Sequence, residues 1–273
     1  MEQAILEAAK TIVEADTLLI TAGAGMGVDS GLPDFRSHEG FWNMHPSYAR
    51  QKLTFADLAN PEWFYTDPGR AWGFYGYRYH LYRKTVPHAG FEILKQWQAN
   101  KRLPGFVLTS NVDGQFQKAG FALDRIYECH GSIHYLQCLS NCRERIWPAN
   151  DMHIEVDENF TAIGALPRCP DCADLARPNI LMFYDGNWIS ARSDLQREAY
   201  QRWKTQVADA RMVIIEIGAG YSVGRIRAIG QNLPGRLIRI NPYDAQVSAG
   251  GIAIALPALA ALKRIEQVIE TWH

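Results

Sequence analysis

The sequence predicts an α/β protein built on a doubly wound parallel sheet, and three observations carry that prediction. Short apolar runs at 17–22, 105–109, 126–129, 211–217, 236–240 and 251–255 have the length and composition of buried strands. Amphipathic stretches at 1–16, 89–98, 194–208 and 257–271 alternate with them. The segment Gly23-Ala24-Gly25-Met26-Gly27 follows the first run directly. Strands apolar on both faces and interleaved with helices suit a parallel sheet covered on each side. A glycine turn between strand and helix is where such sheets receive a dinucleotide's pyrophosphate, although the standard fingerprint places its last glycine one residue later.

The elements follow in order. Residues 1–16 read as a helix with Ala4, Ile5, Ala8, Ile12 and Val13 on one face, and Thr17–Thr21 as a buried strand. After the glycines comes Ser30-Gly31-Leu32-Pro33-Asp34-Phe35-Arg36, which sets an acid and an arginine beside the turn. Residues 41–85, crowded with aromatics at helical spacing, break the rhythm, as does 132–180, where four of the five cysteines lie. The C-terminal helix carries Leu259, Leu262, Ile265 and Ile269 as a stripe. These readings divide the chain into a Rossmann-like domain (1–40, 86–131 and 181–273), a helical insert with a cofactor loop (41–85) and a smaller metal-binding insert (132–180), with a ligand cleft between sheet and inserts.

At 273 residues the chain can bury a substantial core as one compact enzyme, and its formal net charge of −1 gives no field toward nucleic acid or an anionic membrane. No apolar run approaches the roughly 20 residues of a membrane helix, and the acidic first helix is unlike a signal peptide. A cytoplasmic monomer is the expectation. In a reducing compartment the pairs Cys138/Cys142 and Cys169/Cys172 argue for tetrahedral thiolate ligation of a structural zinc ion. Cys129 lies outside the pairs and reads as a small buried hydrophobe.

Chemistry-bearing residues cluster after two strands, in Thr109-Ser110-Asn111-Val112-Asp113-Gly114 and Glu128-Cys129-His130-Gly131-Ser132. Carboxyl ends of parallel strands line the ligand crevice, so Asn111, Asp113 and His130 are expected to converge near the glycine turn. His38, His45, His80, His88, His134, His153 and His273 receive no chemical role.

Taken together, Gly23-Ala24-Gly25, Ser30-Gly31-Leu32-Pro33-Asp34-Phe35-Arg36, Ser110-Asn111-Val112-Asp113-Gly114, Cys129-His130-Gly131 and the paired cysteines resemble the sirtuins, NAD-dependent protein deacylases, over about residues 15–255. Asp57-Leu58-Ala59-Asn60-Pro61, Trp72-Gly73-Phe74-Tyr75 and Ile240-Asn241 extend the resemblance. It implies NAD with its pyrophosphate over Gly23–Gly27 and near Gly218-Ala219-Gly220, Asn241 on the adenosine ribose, Asp34 holding nicotinamide, and Phe35, Arg36 and Ser110 completing the cofactor site. Arg36 would order the loop 37–45. His130 would be the general base on a ribose hydroxyl, with Asn111 and Asp113 orienting ribose and water; an imidazole's ordinary pKa near 6.5 suits that task. Acyl-lysine would attack C1′ as nicotinamide leaves, yielding free lysine and O-acyl-ADP-ribose.

Tyr75-Gly76-Tyr77-Arg78 matches the Tyr-x-x-Arg pair by which class III sirtuins hold succinyl or malonyl groups, and Ala59 their small pocket residue. Residues three apart share a helix face, so phenol and guanidinium would meet one carboxylate. The resemblance places Ile180 and Phe183 in the segment that would hold the acylated peptide. The chain departs from the family at Gly27, Ser110 and Gly218-Ala219-Gly220, and has Phe183-Tyr184-Asp185 where the family has Phe-Gly-Glu. A tyrosine there would narrow the peptide groove. That departure leaves two alternatives to deacylation, ADP-ribosyl transfer to protein and NAD hydrolysis. A nucleotide-sensing protein is a third, against which the full set Asp34, Arg36, Asn111, Asp113 and His130 stands.

Overall fold

The six apolar runs form one parallel sheet. The computed structural model describes residues 1–33, 53–150, 152–221 and 224–272. In chain order the strands are β1 (Thr17–Ala22), β2 (Phe106–Thr109), β3 (Ile126–Glu128), β4 (Gly131–Cys138), β5 (Ile146–Pro148), β6 (Glu155–Val156), β7 (Ala162–Ile163), β8 (Ala176–Ile180), β9 (Met212–Ile217), β10 (Arg236–Ile240) and β11 (Ile252–Ile254). The helices are α1 (Glu2–Glu14), α2 (Phe55–Leu58), α3 (Trp63–Thr66), α4 (Pro68–Lys84), α5 (Ala89–Ala99), α6 (Gln115–Lys118), α7 (Ala191–Gln206), α8 (Arg225–Asn232) and α9 (Ala258–Glu270).

The main sheet runs β11-β10-β9-β1-β2-β3, parallel throughout. β1 lies at its centre, fully buried, and the chain first builds outward through β2 and β3 before returning to its other edge with β9. That reversal opens the crevice at the carboxyl ends. Register places Ala22 level with Thr109 and with Ile217, so Gly23, Ser110 and Gly218 leave the sheet together. One face is covered by α1, α5 and α9 through Ile5, Ile12, Leu94, Leu262 and Ile265. The opposite face packs Phe106, Leu108 and Ile214 against Tyr200 and Trp203 of α7 and Ile226 of α8.

Two local readings change. The glycine turn feeds a short 3-10 helix, Ala24–Ser30, where a helix was expected; Gly31 ends it at φ 83°, and the Leu32 amide turns back to the Gly27 carbonyl. Helix α8 carried no signal, because Gly224 and Gly230 and two arginines obscure its eight residues, yet Arg227 and Ile226 are buried.

The described parts of both excursions share a third apolar cluster. Trp72, Phe74 and Tyr75 of α4 pack with Leu136, Ile154 and Ala176 from the three-stranded antiparallel sheet β5-β4-β8 and its loops. At Gly73 the 158–162 segment approaches so closely that a Cβ would lie 1.8 Å from the Phe160 carbonyl oxygen. Asp34, Phe35, Arg36, the loop 37–45 with His38 and His45, and His273, all named from the sequence, lie outside the described residues.

Candidate active site

A cavity of about 240 Å³ lies where the carboxyl ends of the sheet meet α2, α4 and the segment after β8. Ala24, Ser110, Asn111, Asp113 and His130 contribute from the sheet side. Ala59, Tyr75 and Arg78 contribute from α2's end and α4, and Ile180 and Phe183 from β8 and the segment after it. The structure therefore brings the sequence-identified catalytic and acyl-pocket residues to one cavity. Leu32, Pro33, Phe55, Tyr82, Val112, Leu181 and Met182 complete it and were not anticipated. Tyr82 had a usable signal, since four residues after Arg78 places it on the same helix face.

Each polar group is fixed locally. The Asn111 amide nitrogen donates to the Gly23 carbonyl at 2.9 Å, while its backbone N–H donates to Thr109 Oγ1 at 3.0 Å. Asp113 Oδ1 accepts from the Gln115 backbone at 2.9 Å, and His134 Nε2 lies 2.9 Å from the Asp113 carbonyl oxygen, which pins the turn. Burial pushes the Asp113 carboxyl up to about 6 against the pull of that backbone bond, with Glu128 raising it further and Arg78 opposing. The His130 carbonyl accepts from Leu181 N at 2.9 Å, tying the strand end to the segment after β8. Ser110 Oγ and Tyr75 Oη are buried with no hydrogen-bond partner among the described residues, and both border the cavity. Burial raises Tyr75 to about 12, so it stays a donor.

Gly23, Gly25, Gly218, Gly220 and Asn241, expected on the cofactor, do not line this cavity; Gly23 is joined to it by the bond from Asn111. Gly23 and Gly25 pack directly on Gly218, whose φ is 61°: a Cβ on Gly218 would lie 2.4 Å from Gly25 backbone atoms. The amides of Gly23, Gly25 and Met26 donate to the carbonyls of Ile217, Gly218 and Gly23. So these glycines serve first to let two loops touch backbone to backbone. Asn241 Nδ2 donates to the Ala219 carbonyl at 3.1 Å, and its Oδ1 accepts from Tyr243 N and Asp244 N, which fixes the loop after β10 beside Gly218-Ala219-Gly220.

The Phe183-Tyr184-Asp185 segment resolves differently from expectation. Tyr184 takes a left-handed backbone, φ 58°, is 92% exposed and takes no part in lining the cavity. Asp185 is held by a fully buried ion pair with Arg177 and accepts from Met182 N and Asn187 N. Phe183 N donates to the Ala59 carbonyl at 2.9 Å, which joins this segment to α2.

The metal reading has a direct geometric test. Sγ atoms of Cys138, Cys142, Cys169 and Cys172 lie within 4.8 Å of one another, with Cys138–Cys172 at 3.6 Å and Cys142–Cys169 at 3.7 Å. A tetrahedron of 2.3 Å zinc–sulfur bonds has edges of about 3.8 Å. The four thiols fit zinc, and because they fill its coordination the ion is structural. Cys129 is buried in the sheet core. Among the remaining histidines, His88 caps α5 by accepting from Gly90 N and reaches the Met26 carbonyl with its other nitrogen.

Comparison with known proteins agrees with this geometry. The Sir2 family model matches residues 23–223. An Aquifex aeolicus NAD-dependent protein deacylase is 28% identical over 236 residues, 85% of each chain. The Danio rerio mitochondrial NAD-dependent protein deacylase sirtuin-5 is 32% identical over 185 residues, 62% of this chain and 57% of that one. A solved Sir2 homologue in complex with NAD superposes with TM-score 0.71 at 24% identity, covering 98% of this chain and 94% of the other. Among the described residues no helix is long and apolar enough to cross a membrane. With the motif residues gathered at one crevice, a cysteine cluster of zinc dimensions and a family match across most of its length, the chain belongs to the Sir2 family.

Proposed function

We propose that the protein is an NAD-dependent protein-lysine deacylase that favours acyl groups ending in a carboxylate. The observation that carries the reading is that one cavity is lined by His130, Asn111 and Asp113 from the sheet's carboxyl ends and by Tyr75 and Arg78 from α4. The names of the relatives support the NAD and deacylase parts.

NAD fits the residues present. Ser110 Oγ is an unmatched hydroxyl at the cavity, able to take a ribose hydroxyl, and Gly23, Gly25 and Gly218 let the loops after β1 and β9 touch backbone to backbone at the carboxyl ends of the sheet. When bound, NAD supplies a glycosidic carbon with nicotinamide as its leaving group. His130 accepts a proton from a ribose hydroxyl at an imidazole nitrogen, a step whose loss typically lowers rate about 10²–10⁴-fold. Asn111, fixed by Gly23, orients the ribose. Asp113, with its carboxyl near 6, holds or releases a proton close to neutral pH. Asn241 and the Gly218-Ala219-Gly220 loop hold the adenosine half, and Ile180, Phe183 and Ala59 bound the acyl-lysine channel. Zinc staples the 132–180 segment and takes no part in the chemistry.

The ground for ADP-ribosyl transfer or NAD hydrolysis was loss of the peptide-holding segment. Tyr184 takes no part in lining the cavity while Phe183 and Ile180 do, which favours deacylation over both. The test is incubation with NAD and matched acetyl-, succinyl- and malonyl-lysine peptides, following nicotinamide and peptide mass, with His130→Ala as control. NAD-dependent acyl loss, greatest for succinyl or malonyl, is expected. Nicotinamide release at the same rate without peptide refutes deacylation. Arg78→Met should reduce succinyl turnover far more than acetyl turnover, and equal losses defeat the carboxylate preference.

A further inference from the structure

We propose that Tyr82 is a specificity-determining residue of the acyl pocket, its phenol oxygen fixing the Arg78 guanidinium in the orientation that receives a carboxylate at the end of an acyl chain. The inference rests on the acidic-acyl reading above and adds a residue to it. Tyr75, Arg78 and Tyr82 share one face of α4 and all border the cavity. Arg78 is 5% exposed, and its Nε and Nη2 both donate to Tyr82 Oη, at 3.1 and 2.9 Å. Two bonds from one edge of a planar group to one atom fix its rotation within the plane, which a single bond would leave loose. The rings of Phe55, Phe74, Tyr75 and Tyr82 surround the guanidinium carbon at 5.1–5.6 Å. Those stacked faces favour the cation but do not select the direction of its N–H bonds. Tyr82 Oη, by accepting from both Nε and Nη2, fixes the direction of two of them.

The chemistry of the contact also matters. Tyr82 is neutral, so this bond orients Arg78 without cancelling its charge, as a carboxylate partner in the same place would. Tyr75 Oη, in a residue 1% exposed, has no hydrogen-bond partner among the described residues. A ligand acceptor beside it satisfies a buried donor that the fold leaves unmatched. A carboxylate has two oxygens and about four acceptor sites, enough to take Tyr75 O–H and Arg78 N–H together, whereas the methyl end of an acetyl group takes neither. The ligand class is thus an acyl chain of a few carbons closed by a carboxylate.

The experiment measures kcat and KM for succinyl- and acetyl-lysine peptides of one sequence at saturating NAD, in wild type, Tyr82→Phe and Tyr82→Met. Phenylalanine keeps the ring and deletes the oxygen. The succinyl-to-acetyl ratio of kcat/KM should fall about tenfold or more in Tyr82→Phe, chiefly through the succinyl KM, as expected for losing hydrogen bonds to a charged group. Tyr82→Met, with only a weak thioether acceptor in place of the phenol, gives the same readout if the phenylalanine chain does not fold. A wild type that prefers succinyl while the variants keep its ratio within about twofold overturns the role of Tyr82 and leaves the acidic-acyl reading standing. A wild type that does not turn over succinyl peptide overturns both.

Discussion

Replacing Asp113 with Asn should make the protein more stable and less active, and the gain should depend on pH. In the folded chain burial raises the Asp113 carboxyl from 3.8 to about 6. The folded state therefore holds this proton more tightly than the unfolded chain does. Any stability linked to that proton is fully present below pH 3.8 and is lost as pH rises through 6. At about 1.36 kcal/mol per pKa unit, ionising the buried carboxyl costs the folded state on the order of 3 kcal/mol at pH 8, and progressively less as pH falls toward 4. Asparagine cannot ionise, and its oxygen can keep the bond from Gln115 N. Asp113→Asn should thus gain about 3 kcal/mol at pH 8, or roughly 5–10 °C in Tm for a chain of this size, and little at pH 4. Chemical denaturation of both proteins across pH 4–8 measures it, with deacylation followed in parallel. A gain that is absent, or equal at both ends of the range, refutes the argument. Stability rising as kcat falls is the trade expected of a buried charge kept for function.

Other outcomes follow from single contacts. The purified protein should carry about one zinc ion per chain, and Cys172→Ser should lose it along with on the order of 5 kcal/mol or more of stability, read by metal analysis and thermal melting. Gly218→Ala should cost roughly 2–3 kcal/mol or more, because its left-handed backbone and a Cβ 2.4 Å from Gly25 force the two loops apart; an unchanged melting temperature would count against the loop contact. Tyr184→Gly should stabilise by about 0.5–1 kcal/mol, the left-handed penalty of tyrosine less the entropy of glycine, measured as a shift in denaturant midpoint.

Much of this molecule could be read directly. Each of the six apolar runs became a strand of the main sheet within a residue or so of its expected ends, because fully buried parallel strands are uniformly apolar and their signal needs no partner. Four cysteines in two close pairs announced their metal site for a similar reason, since ligand spacing is local. The 3-10 turn at Ala24–Ser30 and helix α8 were not legible, being short, glycine-flanked and decided by what packs on them. Arg239 and Glu216 show the same limit: they are charges inside strands read as apolar, tolerable only because register sets them opposite each other at 2.5 Å.

What the amino-acid order determined on its own was the α/β class, the strand positions, the zinc ligands and the identity of the chemical groups, all properties of local composition and spacing. Only the folded chain decided who meets whom. It made Gly23, Gly25 and Gly218 a contact between loops almost 200 residues apart in sequence, and brought Tyr75 and Arg78 to one cavity with Asn111, Asp113 and His130. Such pairings depend on distances between distant segments, which the packing of a core fixes and a one-dimensional pattern does not contain.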